Sequence, residues 1–177
     1  MATINLSWTP VNDANSAGQK VQRKSGGGAF ADISSTLSAS ASTYSDTTAV
    51  DNVLYTYQIV NLCEFGGPAD SLDVQAGKAV CPTVTESVVD LAVTLTFPVL
   101  SGDAVYQGNV EVQGIGGFPT TESREGFVVS FDGAFSNTYQ YNYTVAVGTN
   151  VATCTDAVAI GAQPSCPVPT NVSATVA

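Results

Sequence analysis

The chain has 177 residues, of which 44% are hydrophobic and only 11% are charged. Fifteen acidic residues against five basic ones give a formal net charge of −10, and the chain contains no histidine. This acidic balance argues against nucleic acid as a partner, because neutralising phosphates requires clustered lysine and arginine. Soluble domains typically carry roughly 25% charged residues. The low charged fraction here suits an exposed β-protein, or one whose surface is covered by neighbours.

The sequence offers little for catalysis or metal binding. Without histidine the usual general base and triad partner is absent. No pair of carboxylates has the spacing that would bring them face to face for glycoside hydrolysis. The cysteines show no CxxC spacing, and no segment approaches a calcium-loop pattern. We therefore expect no catalytic residue, no metal site and no cofactor, and predict that the protein is not an enzyme.

No run of residues approaches the ~18 apolar residues of a membrane span, so we expect no membrane insertion. The N-terminus lacks a basic region followed by an apolar one, so no signal peptide is expected. Three origins fit this: a mature chain, a cytosolic protein, or a virion protein released by lysis.

The first half of the chain predicts short strands and no helix. Residues 4–8 alternate apolar and polar side chains, which is the period of a strand with one buried face. Residues 18–24 give a second strand, and residues 53–63 give the strongest one in this half. A loop rich in glycine and proline follows at 64–70, and 71–75 forms another short strand.

The second half repeats this organisation. Strands are predicted as follows: 83–89, 91–97, 110–113, 127–131, 139–147 and 157–160. Residues 114–121 are interpreted as a glycine-rich loop. The pair Cys81-Pro82 recurs as Cys166-Pro167, an internal repeat that marks the start of a domain in each case. We therefore predict a domain over 1–80, a second over 81–166, and a separate strand over 167–177.

Four groups of residues resemble a known family. Leu6-x-Trp8-x-Pro10, Val21-x-Arg23, Tyr44-x-Asp46 and Tyr55-x-Tyr57-x-Ile59 are similar to strands B, C, E and F of a fibronectin type III domain. The resemblance implies an all-β protein of two antiparallel fibronectin- or immunoglobulin-like sandwiches, of the type found in bacterial or phage structural proteins. It also implies that Trp8 fills the centre of the first sandwich. The second half is a divergent copy with Phe97 or Leu95 in the tryptophan position.

The first half departs from this family because its strand A is missing. The tail, residues 167–177, has the character of such a strand, and adding it to residues 3–80 gives about 90 residues, close to the ~100 of a sandwich of this class. A sandwich without strand A exposes the edge of strand B and invites strand addition. The predicted interface consists of Ile4, Leu6, Pro169, Asn171, Val172, Ala174 and Val176.

Whether the tail acts within its own chain is open at this point. Residues 161–168 reach at most ~27 Å, less than the length of one sandwich. If the domains fold back side by side, the tail closes its own first domain; if they lie end to end, it enters another copy. Head-to-tail contacts of that kind give a filament when open and a ring when closed. A frayed end cut from a longer array is the plainer alternative.

Four cysteines allow three disulfide pairings. In many bacterial fibronectin-like domains a cysteine at the start of the domain faces one on strand F. The resemblance therefore implies Cys81 with Cys154 in the second domain, and Cys63 with Cys166 across the seam between tail and first domain. A local bridge between Cys154 and Cys166 is also open.

We therefore expect a structural assembly protein: a repeating subunit of a phage virion (head decoration, neck, tail or fibre) or of an extracellular filament. Its partners would be other copies of itself, head to tail, and other virion or surface proteins. The alternative is an adhesion or carbohydrate-binding module of a larger secreted or cell-surface protein, with glycan contacts at the loops of Phe65 and Phe118. The expected location is a virion or the cell exterior.

Overall fold

The computed structural model describes residues 1–11, 13–120 and 123–163. These residues form antiparallel β-strands and contain no helix, which confirms the expected all-β class. The strands of the first half are β1 (Ala2–Ser7), β2 (Ser16–Ser25), β3 (Ala31–Asp32), β4 (Thr43–Ala49), β5 (Leu54–Cys63), β6 (Ala69–Asp70) and β7 (Val74–Gly77). Those of the second half are β8 (Thr85–Val89), β9 (Ala92–Phe97), β10 (Val105–Val112), β11 (Gly116–Pro119), β12 (Phe127–Asp132), β13 (Thr138–Val147) and β14 (Asn150–Ala159).

The second half is a sandwich of two sheets. One sheet has three strands in the order β12-β9-β8, and the other has four in the order β11-β10-β13-β14. Inward side chains alternate along the strands, as in Val93, Leu95 and Phe97 of β9, which are almost fully buried. Phe97 packs edge-on against Tyr106 and occupies the centre, as the resemblance implies for the residue in the tryptophan position.

The first half is a sandwich with a smaller second layer. Strands β3, β2 and β5 form one sheet with β6 and β7 along the far side of β5. The facing sheet consists of β1 and β4 alone among the described residues. Its core is small and includes Ile4, Leu6, Val21 and Tyr57. Each strand matches its counterpart in the second half, except that nothing described corresponds to β8.

A tyrosine hydrogen bond marks the same corner in both sandwiches. The backbone N–H of Val50 donates to the hydroxyl of Tyr55, and that of Ala134 donates to the hydroxyl of Tyr139. In each case the two residues are five apart, at the start of the strand that corresponds to strand F. The matching corners set the register between the halves and pair Ile59 of β5 with Tyr143 of β13.

The two sandwiches meet pole to pole at Asn52. Its side-chain oxygen accepts from the N–H of Val80, and its backbone carbonyl accepts from the N–H of Asp103. Gly102 lies so close that a Cβ there would come within 2.3 Å of the Asn52 carbonyl oxygen. Leu54 of the first sandwich packs against the core of the second sandwich. Ala79 is buried in that same core, although the predicted boundary at residue 80 places it in the first domain.

Several predicted elements differ from the structure. The strand predicted at 110–113 spans Val105–Val112, the one predicted at 71–75 spans Val74–Gly77, and the loop predicted at 64–70 contains β6. Residues 116–119, interpreted as part of a loop, form β11, because the backbone of Gly116 and Gly117 pairs with β10 and the side chain of Phe118 covers the core. The last strand, predicted at 157–160, extends over Asn150–Ala159. It lies at a sheet edge and is largely exposed, so its polar residues hide the alternation that strand prediction depends on.

Candidate functional site

The open side of β1 is the candidate site. In the second sandwich the corresponding strand, β9, pairs with β12 on one side and with β8 on the other. Strand β1 pairs with β4 alone among the described residues. Its other edge therefore presents backbone N–H and C=O groups with no strand partner in the described structure. Such an edge is a template for another strand.

An apolar groove runs beside this edge, between β1 and the β5–β7 side of the facing sheet. It consists of two adjoining cavities of about 340 and 360 Å³ that share Trp8, Ile59 and Ser71. We call it the acceptor groove. Its apolar lining residues are Leu6, Trp8, Val11, Tyr57, Ile59, Cys63, Ala69, Leu72 and Val74, and its polar ones are Ser7, Thr9, Asp13, Gln19, Gln58, Asn61, Asp70 and Ser71.

The rim of the acceptor groove carries exposed apolar side chains. Leu72 is 93% exposed and Val74 is 53% exposed, although both line the groove. Water contact with such side chains is unfavourable by roughly 25 cal/mol for each Å². A strand laid along β1 would cover them, so the rim favours occupation of the groove.

The second sandwich shows what such a strand contacts. There the hydroxyl of Tyr143 donates to the carbonyl of Pro82, just before β8. Ile59 occupies the position of Tyr143 in the first sandwich and lines the acceptor groove. The groove therefore lies where strand A and the segment leading into it pack in the complete sandwich.

Trp8 lies at the groove and not at the centre of the sandwich, which corrects the sequence-based expectation. It is half-buried, and its indole N–H donates to Oε1 of Gln19 at 2.6 Å. Gln19 is only 1% exposed and donates in turn to the carbonyl of Ala39. This fixes the indole at the groove wall, where it also packs against the edge of the first core.

A buried ionic cluster supports the floor of the groove. Asp46 of β4 is 1% exposed and accepts hydrogen bonds from Arg23 of β2 and from the hydroxyl of Tyr57 of β5. Its other oxygen accepts from Thr48. Burial opposes ionisation, but these hydrogen bonds outweigh it and hold the pKa of Asp46 below its ordinary value. Burial and the same carboxylate raise the pKa of Tyr57.

Sequence reasoning did not identify this cluster. The signal was the spacing of Val21 and Arg23, which puts both side chains on one face of a strand. Since Val21 is buried, Arg23 two positions away points to the same buried side of the strand. A cation in that position predicts a buried carboxylate on the facing sheet.

The predicted site residues fall in three groups. Ile4 and Leu6 lie on the buried face of β1, next to its open edge. Cys63 lines the acceptor groove and has no disulfide partner among the described residues. Pro169, Asn171, Val172, Ala174, Val176 and Cys166 lie outside the described residues.

The structure contains a disulfide between Cys81 and Cys154, whose Cα atoms are 5.7 Å apart. Cys154 lies on β14, opposite Tyr143, and not on the strand that corresponds to strand F. With Cys154 bonded to Cys81, the local Cys154–Cys166 bridge is not formed. Disulfides persist in oxidising surroundings and are rare in the cytosol, so the bond is typical of a secreted or extracellular protein.

The two candidate ligand aromatics differ in setting. Phe65 is 78% exposed, on a loop whose backbone is held by Asn15 through hydrogen bonds of 2.8 and 3.0 Å. Phe118 lies on strand β11 and packs toward Phe131, with ring centroids 6.4 Å apart. Phe118 is therefore a partly buried strand residue and not a loop side chain.

Two further observations concern the described part of the chain. It holds no cluster of three or more His, Cys, Asp or Glu side chains that could bind a metal ion. Nor does it contain a helix long and apolar enough to cross a membrane.

No protein-family model matches the chain. No curated protein matches it significantly. Among solved structures, it is similar to the chicken interferon gamma receptor alpha chain, with 13% sequence identity and a TM-score of 0.41. That similarity spans 89% of this chain and 91% of the receptor chain.

Proposed function

We propose that this chain is a non-enzymatic structural protein whose copies associate by β-strand complementation. It would serve as a repeating subunit of a phage virion (head decoration, neck, tail or fibre) or of an extracellular filament. The observation that carries the proposal is the open edge of β1 beside the apolar acceptor groove, in a molecule whose second sandwich has that same position filled.

The chemistry of the tail supports this function. In an extended segment Val172, Ala174 and Val176 share one face, which matches the apolar groove. Fully burying one valine or leucine side chain contributes about 1.5–3 kcal/mol. Backbone pairing along the six residues of β1 adds directional hydrogen bonds. Occupation of the groove would also cover Leu72 and Val74.

The surface of the chain supports an assembly role in a second way. Residues 164–177 contain no charged side chain, so the segment that enters the groove places no charged side chain against an acceptor of net charge −10. Like-charge contacts would otherwise oppose association between copies. The acidic charge also argues against nucleic acid as the partner.

The proposal is tested by comparing the full chain with a chain that ends at Gln163. Light scattering over a range of concentrations should show association of the full chain and monomers of the shortened one. A synthetic peptide of residues 164–177 should bind the shortened chain and shift the emission of Trp8, the single tryptophan, to shorter wavelength. A scrambled peptide is the control. Equal masses, with no response to the peptide, would contradict the proposal.

A second function rests on Phe65. A large aromatic side chain, 78% exposed on a loop with a fixed backbone, is the arrangement that stacks on a sugar ring. The chain would then be an adhesion or carbohydrate-binding module of a larger secreted or cell-surface protein. Binding of the monomer to a panel of immobilised glycans, lost in Phe65→Ala and retained in Phe118→Ala, is the expected result for this role.

A further inference from the structure

We infer that the acceptor groove of one copy takes the tail of a second copy and not its own. We also infer that Cys63 of the acceptor and Cys166 of the donor form a disulfide at this seam. The inference rests on the proposed function and specifies its partner, its direction and its covalent bond. It follows from where the groove opens and where the tail leaves the described structure.

The groove opens at the pole farthest from the second sandwich. In the complete sandwich β8 runs antiparallel to β9, so a strand in the same position beside β1 would begin at the Ser7 end. Cys63 lies at that end too, because β5 finishes there, with Cys63 opposite Ser16. Trp8, Val11 and Cys63 line one cavity. The donor therefore starts beside Cys63 and runs toward Ala2.

The tail leaves at the opposite pole of the molecule. Strand β14 begins beside the first sandwich, where the side chain of Asn150 accepts from the N–H of Ala79. It then runs ten residues away from that joint. Past its end, the N–H of Ile160 donates to the carbonyl of Asn137 on the far side of the second sandwich. The described chain ends three residues later, at Gln163.

Distance then excludes closure within one chain. Strands β14 and β5 each contain ten residues, and at ~3.3 Å per residue the two together span about 65 Å. The whole of residues 164–177, fully extended at ~3.5 Å each, reaches only about 49 Å. The tail could instead enter the groove from its Ala2 end, but it would first have to run back along the second sandwich. That takes about ten of its 14 residues, and the remaining four are too few to pair along β1. A tail that occupies the groove therefore comes from a second copy.

The spacing of the cysteines fits the same arrangement. Ile59 lies four residues before Cys63, about 13 Å along β5. Four extended residues lead from Cys166 to Thr170 and cover the same ~13 Å. A Cys63–Cys166 bond therefore brings Thr170 to Ile59, the place that Pro82 takes beside Tyr143 in the second sandwich. In this register Val172 takes the place of Val84, which is buried, so Val172, Ala174 and Val176 face the groove. The seam bond differs in place from the Cys81–Cys154 bond, because Cys154 lies on β14 opposite Tyr143 whereas Cys63 lies at the end of β5.

The test uses full-length chains in which one cysteine of the seam is missing. Cys63→Ser retains the donor cysteine, and Cys166→Ser retains the acceptor cysteine. Each variant, one of them labelled with ¹⁵N, is reduced and reoxidised alone and in an equimolar mixture, beside the wild type. Non-reducing gels and mass spectrometry of the peptides locate the bonds. Replacing Cys166→Ser in the mixture by the double variant Cys63→Ser/Cys166→Ser is the control.

We expect a ladder of covalent oligomers from the wild type, and a covalent dimer of one labelled and one unlabelled chain from the mixture only. The bond should join Cys63 to Cys166, and the control mixture should give none. A wild-type monomer with an internal Cys63–Cys166 bond would overturn both the inference and the proposed association of copies, because the tail would then complete the first sandwich of its own chain. Oligomers lacking that bond would overturn the covalent seam. Monomers in every sample, with no such bond, would overturn the proposed function as well.

Discussion

Asp46 connects the two sheets of the first sandwich through its buried carboxylate. It belongs to the sheet of β1 and β4, while its donors Arg23 and Tyr57 belong to the facing sheet. With only two strands in one layer, the sandwich has a small core. This ionic connection therefore contributes more than a single surface ion pair would, since exposed pairs are worth only about 0–1 kcal/mol.

Replacing Asp46→Ala should destabilise the first sandwich by about 3 kcal/mol, because it leaves a largely buried arginine and a buried hydroxyl without their acceptor. Urea unfolding followed by Trp8 emission measures the loss at pH 7. Asp32→Ala, which removes an exposed partner of Lys20, is the control and should leave the midpoint nearly unchanged. Equal effects of the two substitutions would contradict the role assigned to Asp46.

The contribution of Asp46 should also depend on pH in the acid range. Its pKa is lowered in the folded chain, against about 3.9 for an unfolded aspartate. The stabilisation is therefore fully present above about pH 4 and is lost as the pH falls through the lowered folded value. The difference in stability between wild type and Asp46→Ala should shrink as the pH falls below about 4. A difference that stays constant over this range would show that the carboxylate charge is not what stabilises the fold.

At the scale of the strand, sequence pattern succeeds where one face is buried and fails at exposed edges. Strands β5 and β13 alternate along buried faces and were predicted within one residue of their bounds. Strand β11 was missed because two of its four residues are glycine and its pairing is carried by backbone atoms. The open edge of β1 among the described residues agrees with the predicted gap in the order of strands. The groove beside this edge could not be predicted, because Trp8 was expected at the core centre.

The face of the donor strand provides a prediction at this scale. Because side chains alternate between faces, a change of one position moves a substituent from the groove to solvent. Val172→Asp should place a charge in the apolar groove and weaken assembly at least ~100-fold, the equivalent of about 3 kcal/mol. Ser173→Asp, one residue away, should assemble nearly as the wild type does. Light scattering of both chains measures this, and the reverse order of effects would show the opposite face in the groove.

The Cys81–Cys154 disulfide provides another prediction at this scale. It joins β14 to the start of the second sandwich and does not involve the first sandwich. It closes a sequence separation of 73 residues, and the loss of such a link destabilises by about 4 kcal/mol in the chain-entropy account. The double variant Cys81→Ser/Cys154→Ser should therefore lower the unfolding midpoint of the second sandwich, followed by circular dichroism. The Trp8 transition, which reports the first sandwich, should move much less. A shift confined to Trp8 would contradict this assignment.

At the scale of the whole molecule, the acceptor groove and the last described residue, Gln163, lie at opposite poles. The joint at Asn52 holds the two sandwiches pole to pole through hydrogen bonds to Val80 and Asp103. A contact in which each copy gives its tail to the next is heterologous, so it propagates in one direction and does not stop at a dimer. The joint within a copy and the seam between copies then alternate along one line of sandwiches.

This arrangement predicts the dimensions of the assembly. Each copy contributes two sandwiches in line, each about as long as a ten-residue strand, so the repeat along the filament should be about 65 Å. Negative-stain electron microscopy of the oxidised wild-type chain should show thin filaments with that repeat, and none from the chain that ends at Gln163. A side-by-side arrangement of sandwiches would halve the repeat to about 33 Å. If the rotation between successive copies closes on itself, the same contact gives a ring. Small rings of constant size would therefore contradict the linear filament but would still agree with strand exchange between copies.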